Sequence, residues 1–167
     1  EHRVIATNML WDLTLMRVGS QLPDMRLEDE RGTAVDSSEL LKGPVCIAFT
    51  ASWCTYCASE ISSAIKLADE HKGVVKLVII SLDRTMEEFN VARKSLPTSE
   101  YVKWVHAVAE QQLREDLRLR SLPLFYLLND DMLARSPAPL PSKGLGELFF
   151  RAKVEAEKGQ RLKVWDE

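Results

Sequence analysis

The strongest pattern along the chain is a continuous apolar run, Pro44-Val45-Cys46-Ile47-Ala48-Phe49-Thr50. It has the length of a strand and does not alternate, as expected of a strand covered on both faces. A helical period follows, with Ile61, Ile65 and Ala68 on one face. Val74 to Ser81 is a second β-branched run, too short and too apolar for a surface helix, and reads as a buried parallel strand. Strand, helix and strand together make a βαβ unit.

Upstream, from Met25, a short strand, a turn through Asp29-Glu30-Arg31-Gly32 and a second strand around Thr33 to Asp36 predict a β-hairpin. Downstream, Asp83 is placed to cap a helix over about Met86 to Lys94, with Met86, Phe89 and Val91 or Ala92 inward and Pro97 beyond its end. Tyr101 to Ala107 alternates as a strand, and a charged helix from about Glu110 to Leu119 leads to Ser121-Leu122-Pro123. Leu124 to Leu128 is strand-like, Asn129-Asp130-Asp131 turns the chain, and a hairpin partner follows around Met132 to Arg135. Pro137, Pro139 and Pro141 mark a loop. The last helix spans about Leu145 to Lys158, with Leu148, Phe149, Ala152 and Ala156 at helical spacing and Gly159 as a stop signal.

These elements organise residues 22–159 into one α/β domain. Residues 1–21 carry Met9, Leu10, Trp11, Leu13, Leu15 and Met16 without a clean period and read as a lead-in that packs on the domain or links it to something upstream. Residues 160–167 form a charged tail. A chain of 167 residues suits one core rather than two. Its 46% hydrophobic and 28% charged residues suit a folded globular protein. No apolar run approaches the ~20 residues of a membrane span. A net charge of -3, with basic residues scattered among acids, argues against a nucleic-acid surface.

Three cysteines are too few for a disulfide-stapled scaffold, so their spacing carries the information. In Ser52-Trp53-Cys54-Thr55-Tyr56-Cys57, two intervening residues let one turn bring the sulfurs within bonding reach. Cys54 falls just beyond a strand and at a helix start, where unpaired N–H groups and the helix dipole favour a thiolate, and is the expected nucleophile. Cys57, a turn further in, is the expected resolving thiol. Two other readings compete. Half a zinc site would need ligands from Cys46, His2, His71 or His106, none of which forms a second pair, and no metal is expected. A static disulfide would close too small a loop to constrain the unfolded chain much. Cys46, in the middle of a strand, reads as an inert buried residue, and the histidines show no pattern that separates them from surface residues.

A strand ending in Trp-Cys-x-x-Cys, a helix, a second parallel strand and a proline opening a later strand resemble the thioredoxin fold, a central mixed β-sheet flanked by helices. The hairpin extension before the first core strand, the Leu22-Pro23 lead-in and Glu60 after the second cysteine resemble the bacterial TlpA/ResA-like thiol-disulfide oxidoreductases. The resemblance covers about Val18 to Phe150. It implies that Pro123 is a cis-proline beside the cysteines whose backbone helps align an extended substrate. Leu122 before it departs from the Thr, Val or Ile common in relatives, which opens the question of substrate preference. Glu60 matches an acid that tunes thiol ionisation and would shuttle the resolving thiol's proton; the alternative is an acid stabilised by the helix dipole. Trp53 matches the aromatic that flanks the motif, either shielding the sulfurs and offering a docking surface or simply packing. Ala48 stands where thioredoxin keeps a buried aspartate, which points away from thioredoxin proper. Thr55 and Tyr56, between the cysteines, occupy positions that tune reduction potential.

The expected function is therefore a thiol-disulfide oxidoreductase acting on protein thiols and disulfides, a reductase rather than an oxidant. The dithiol carries both electrons, so no cofactor is expected. The resemblance further implies a periplasmic or cell-envelope location, tethering through a segment upstream, and a periplasmic or membrane electron donor. Two rivals stand beside it. A peroxiredoxin-like peroxidase would share the fold and hairpin but place its cysteine after a Pro-x-x-x-Thr-x-x-Cys loop, where this chain has Phe49-Thr50-Ala51-Ser52-Trp53. A non-catalytic binding module of a larger envelope protein would use the groove near Pro123.

Overall fold

The computed structural model of the protein describes residues 21–129, 138–159 and the backbone of 132–135. The expected lead-in up to residue 20, the tail 160–167, and Asp130, Asp131 and Pro137 lie outside the described residues.

The apolar run forms β3 (Pro44–Thr50), buried from Val45 to Thr50. It pairs in parallel with β4 (Lys76–Ser81), Cys46 opposite Leu77 and Phe49 opposite Ile80. On its other side it pairs antiparallel with β6 (Leu124–Asn129), Ala48 opposite Phe125. Hydrogen-bonded partners on both edges and packed layers on both faces leave Thr50, at its C-terminal end, as the one polar position of this strand.

Because successive side chains alternate between faces, the sheet divides the core in two. Val45, Ile47, Phe49, Val78, Ile80, Tyr126 and Leu128 fill one side. There they meet Leu40 of α1 (Ser37–Leu40) and Leu113 of α4 (Glu110–Asp116). Cys46, Ala48, Leu77, Ile79, Phe125 and Leu127 fill the other. That side is covered by Ile61, Ile65 and Ala68 of α2 (Cys57–Glu70) and by Leu148, Phe149 and Ala152 of α5 (Leu145–Glu157).

The whole sheet is mixed, with the order β2-β1-β5-β4-β3-β6-β7. The hairpin of β1 (Leu27–Glu28) and β2 (Ala34–Val35) joins it antiparallel to β5 (Val102–Ala107). Its turn is closed by Asp29, whose carboxylate accepts the N–H groups of Arg31 and Thr33. β7 (Met132–Arg135) pairs with β6 as the expected hairpin partner. The fold is thioredoxin-like, as the order of elements implied. Among the described residues no helix is long and apolar enough to cross a membrane.

Several boundaries differ from the sequence expectation. β4 starts at Lys76 rather than Val74, because residues 71–75 are used to end α2: the Gly73 N–H reaches back to Ala68 and the Val74 N–H to His71. α3 (Met86–Lys94) is capped by Thr85, whose hydroxyl accepts the Glu88 N–H at 3.1 Å, and not by Asp83. The Thr85-x-x-Glu88 spacing already satisfies the capping pattern, and Asp83 is engaged elsewhere. In α3 Phe89 is buried and Ala92 half-buried, whereas Val91 is 66% exposed. α4 stops at Asp116, three residues short of the expected end. Arg118 takes a positive φ of 53°, and the Leu119 N–H folds back onto the Arg114 carbonyl, which returns Leu119 to the core. Ala156, expected on the inner face of α5, is exposed.

Candidate functional site

The site is built where β3 ends. Beyond Thr50 the chain turns through residues 51–56, the Cys54 N–H donating to Ala51 and the Cys57 N–H to Cys54, each at 3.1 Å. α2 begins at Cys57, so Cys54 lies one turn ahead of the helix rather than within it. The two cysteines are bridged by a disulfide with a Cα–Cα separation of 5.4 Å. They are unequal. Cys57 is buried on the first turn of α2, and Cys54 is half-buried at the surface. An incoming sulfur thus meets Cys54 first, and exchange requires access to the attacked or attacking sulfur.

Across from Cys54 lies the loop that opens β6. The Cys54 sulfur is 3.7 Å from the Leu122 carbonyl oxygen, an acceptor that a reduced Cys54 thiol can face. The Leu122–Pro123 peptide bond is cis, as the resemblance implied, and Pro123 is buried while Leu122 is partly buried against the core. Trp53 is 55% exposed and Tyr56 60% exposed, so two aromatic rings flank the disulfide at the surface. The Arg114 guanidinium sits over the Trp53 ring at 5.4 Å from its centroid. Next to Trp53 opens a cleft of about 960 Å³ whose lining includes Arg84, Glu88, Glu110 and Arg114.

Glu60 is buried on α2. Its carboxylate accepts both the backbone N–H and the hydroxyl of Ser142, in the 3₁₀ turn Pro141–Lys143. No local pattern around Glu60 points to this partner, which lies 82 residues away. A buried carboxylate with two donors is satisfied as an acceptor, and the bond ties α2 to the segment that enters α5.

Two further residues escaped the sequence reading. Asp83, expected as a helix cap, is 1% exposed. One oxygen accepts the Ser52 N–H at 2.8 Å and the Ser52 hydroxyl at 2.6 Å; the other accepts the Ser81 hydroxyl at 2.7 Å. His106, read as a surface residue, is 3% exposed on β5 and stacks on Phe89. The signal was present in its register: Val102, Trp104 and His106 share one face of a strand, and Trp104 faces the interior. Cys46 is buried as expected, and burial pushes its thiol well above the ordinary range.

The AhpC/TSA family profile matches residues 18–110. The Arabidopsis thaliana protein Probable nucleoredoxin 3 is 29% identical over 112 residues, covering 60% of this chain and 27% of that protein. A thioredoxin-like protein from Bacteroides caccae superposes with a TM-score of 0.73 at 14% identity, over 89% of this chain and 55% of the other. The thioredoxin domain of a thiol-disulfide oxidoreductase from Bacteroides vulgatus gives 0.64 at 18% identity, over 87% and 99%. The chain thus spans about a quarter of the nucleoredoxin and little more than half of the B. caccae protein.

Proposed function

The chain belongs to the AhpC/TSA family, and from that premise we propose that it is a thiol-disulfide oxidoreductase working through Cys54 and Cys57. The observation that carries the reading is the asymmetric pair: an accessible Cys54 facing the Leu122 carbonyl, bonded to a buried Cys57.

In the reducing direction the Cys54 thiolate attacks one sulfur of a substrate disulfide. A mixed disulfide forms and one substrate thiolate leaves. Cys57, having given up its proton, then attacks the Cys54 sulfur, which forms the Cys54–Cys57 disulfide and releases the second substrate thiolate. Two electrons have passed to the substrate, and a donor dithiol must return them. Trp53, Leu122 and Pro123 form the surface on which the substrate segment lies, and Glu60 is the acid nearest in sequence to take the Cys57 proton.

The substrates are protein disulfides and the favoured direction is reduction, with electrons from a periplasmic or membrane donor to an envelope domain tethered upstream. Exposed aromatics beside the disulfide support a polypeptide substrate, since such rings supply docking area at small entropic cost. The test is insulin-disulfide reduction with dithiothreitol, comparing the protein with its Cys54→Ser variant; acceleration by the unaltered protein alone is expected. No cysteine-dependent activity on any disulfide would favour a binding module. Rapid hydrogen peroxide turnover would favour a peroxidase. The reduction potential of the pair decides the direction, and a value near that of strong oxidants would reverse it.

A further inference from the structure

Behind the cysteine loop runs a chain of polar groups, buried at Ser81, Asp83 and His106, that the exchange chemistry does not use. Asp83 stands just past the end of β4 and holds Ser52, two residues before Cys54, through the Ser52 N–H and hydroxyl on a single carboxylate oxygen. The Ser81 hydroxyl holds the other oxygen, and the same hydroxyl accepts the Asp83 N–H at 3.1 Å. The Asp83 main chain is fixed in turn. Its carbonyl accepts from His106 Nε2 at 2.7 Å, and His106 Nδ1 lies 2.8 Å from the Glu28 carboxylate on β1. The chain of contacts therefore runs from the hairpin, through β5 and β4, to the turn that presents Cys54. Asp83 also lines a cavity of about 220 Å³ together with Cys54.

The geometry points to Asp83 as a positioning residue of the redox centre: it clamps Ser52 so that Cys54 is held against Cys57 in both redox states. In the disulfide the S–S bond fixes the loop by itself. In the dithiol the clamp adds to the backbone bonds of the turn, from the Cys54 N–H to Ala51 and the Cys57 N–H to Cys54, so it raises the effective concentration of one thiol at the other, which favours ring closure. Loss of the clamp shifts the equilibrium toward the open dithiol. It also slows the step in which Cys57 attacks the Cys54 mixed disulfide, and this lowers kcat more than it changes KM, because the Trp53 ring keeps its own contact with Arg114. An asparagine at position 83 keeps an acceptor for Ser52, and the Ser81 hydroxyl can rotate to accept from its amide, so it preserves most of the clamp.

The inference rests on the exchange reading of Cys54 and Cys57. The experiment is redox equilibration with glutathione, in which two glutathione thiols supply two electrons and two protons to the disulfide, giving the dithiol and glutathione disulfide. Asp83→Ala is expected to move the equilibrium toward the dithiol by about tenfold, equivalent to ~30 mV. Its kcat for insulin should drop about tenfold with KM within about twofold, and Asp83→Asn should restore most of both. Ser52→Ala keeps the N–H bond and should shift the equilibrium the same way by about two- to threefold. If Asp83→Ala does not fold, Ser52→Ala decides: a folded variant with unchanged equilibrium overturns the inference, and the expected shift supports it. A folded Asp83→Ala that matches the unaltered protein overturns it, as does an Asp83→Asn no better than the alanine. An unaltered protein that exchanges no disulfide removes both this inference and the exchange reading, whereas matching variants of an active protein remove only this one.

Discussion

The Glu60 carboxylate is held by both the backbone and the hydroxyl of Ser142, a residue 82 positions further along the chain. The bond joins the first turn of the helix that carries Cys57 to the 3₁₀ turn that delivers the chain into α5. Removing the carboxylate loses the bonds from Ser142, itself exposed enough to turn to water, and leaves a gap at the buried Glu60 position; charge-assisted bonds of this kind contribute about 1.5–3 kcal/mol. Glu60→Ala is expected to lower stability by about 2–3 kcal/mol in urea denaturation and Ser142→Ala by about 1 kcal/mol, with the double variant less than additive. Glu60→Gln decides whether the acid has a second role: unchanged thiol pKa values and exchange rate would remove the proton shuttle and leave Glu60 as a tie between elements.

Trp53 stands 55% exposed beside the disulfide with the Arg114 guanidinium over its ring. An exposed stack of this kind gains about 0.5–1 kcal/mol, enough to bias the ring's orientation without burying it. Trp53→Ala should raise the KM for the disulfides of denatured polypeptides on the order of tenfold, the effect of losing an aromatic docking contact of ~1.4 kcal/mol. Its effect on a small aliphatic disulfide, too short to reach the ring, should be several times weaker. Equal loss on both substrates would mean that Trp53 acts on the sulfurs rather than on docking.

The central βαβ unit was legible because periodicity reports burial directly. β3 matches the apolar run residue for residue, and Ile61, Ile65 and Ala68 lie on the buried face of α2 as their spacing required. The cysteine pair was legible because its two members are three residues apart. What stayed hidden depends on partners distant in sequence. Asp83 looked like a cap because capping is local, but its donor Ser52 comes 31 residues earlier. The end of α4 was missed because a non-glycine residue, Arg118, takes the left-handed turn there. Glu60 could be placed near Cys57 from spacing alone, whereas Ser142 arrives only when α5 docks.

The turn after α2 depends on close approach. Lys72 and Gly73 take successive positive φ values of 52° and 68°, and a Cβ on Gly73 would run into the Tyr101 ring. Gly73→Ala combines left-handed strain with a steric clash and is expected to cost about 2–3 kcal/mol, read as a lowered urea midpoint. Lys72→Gly relieves the left-handed strain of about 1–2 kcal/mol but gives the unfolded chain more freedom, and a net gain of about 0.5 kcal/mol is expected. A neutral Gly73→Ala would show that Tyr101 can move aside at little cost.

Cys46 makes a pH prediction whose sign follows from its burial. Enclosed in the core, its thiol is held in the neutral form, and its folded pKa lies far above the ordinary value of 9.0. In the unfolded chain it ionises near that ordinary value. Below pH 9 both states carry the proton and the residue adds no pH dependence. Above it the unfolded state binds fewer protons than the folded one, so stability falls as pH rises, with a slope approaching about 1.4 kcal/mol per unit from this group. Cys46→Ala should cost about 1–2 kcal/mol near pH 7 for the lost packing, and this deficit should shrink between pH 9 and 10.5. The measurement is urea denaturation of both proteins with Cys54 and Cys57 oxidised, so that neither of those thiols titrates. Parallel stability profiles across that range would show that Cys46 does not stay protonated in the fold, and rapid alkylation of Cys46 in the native protein would show the same.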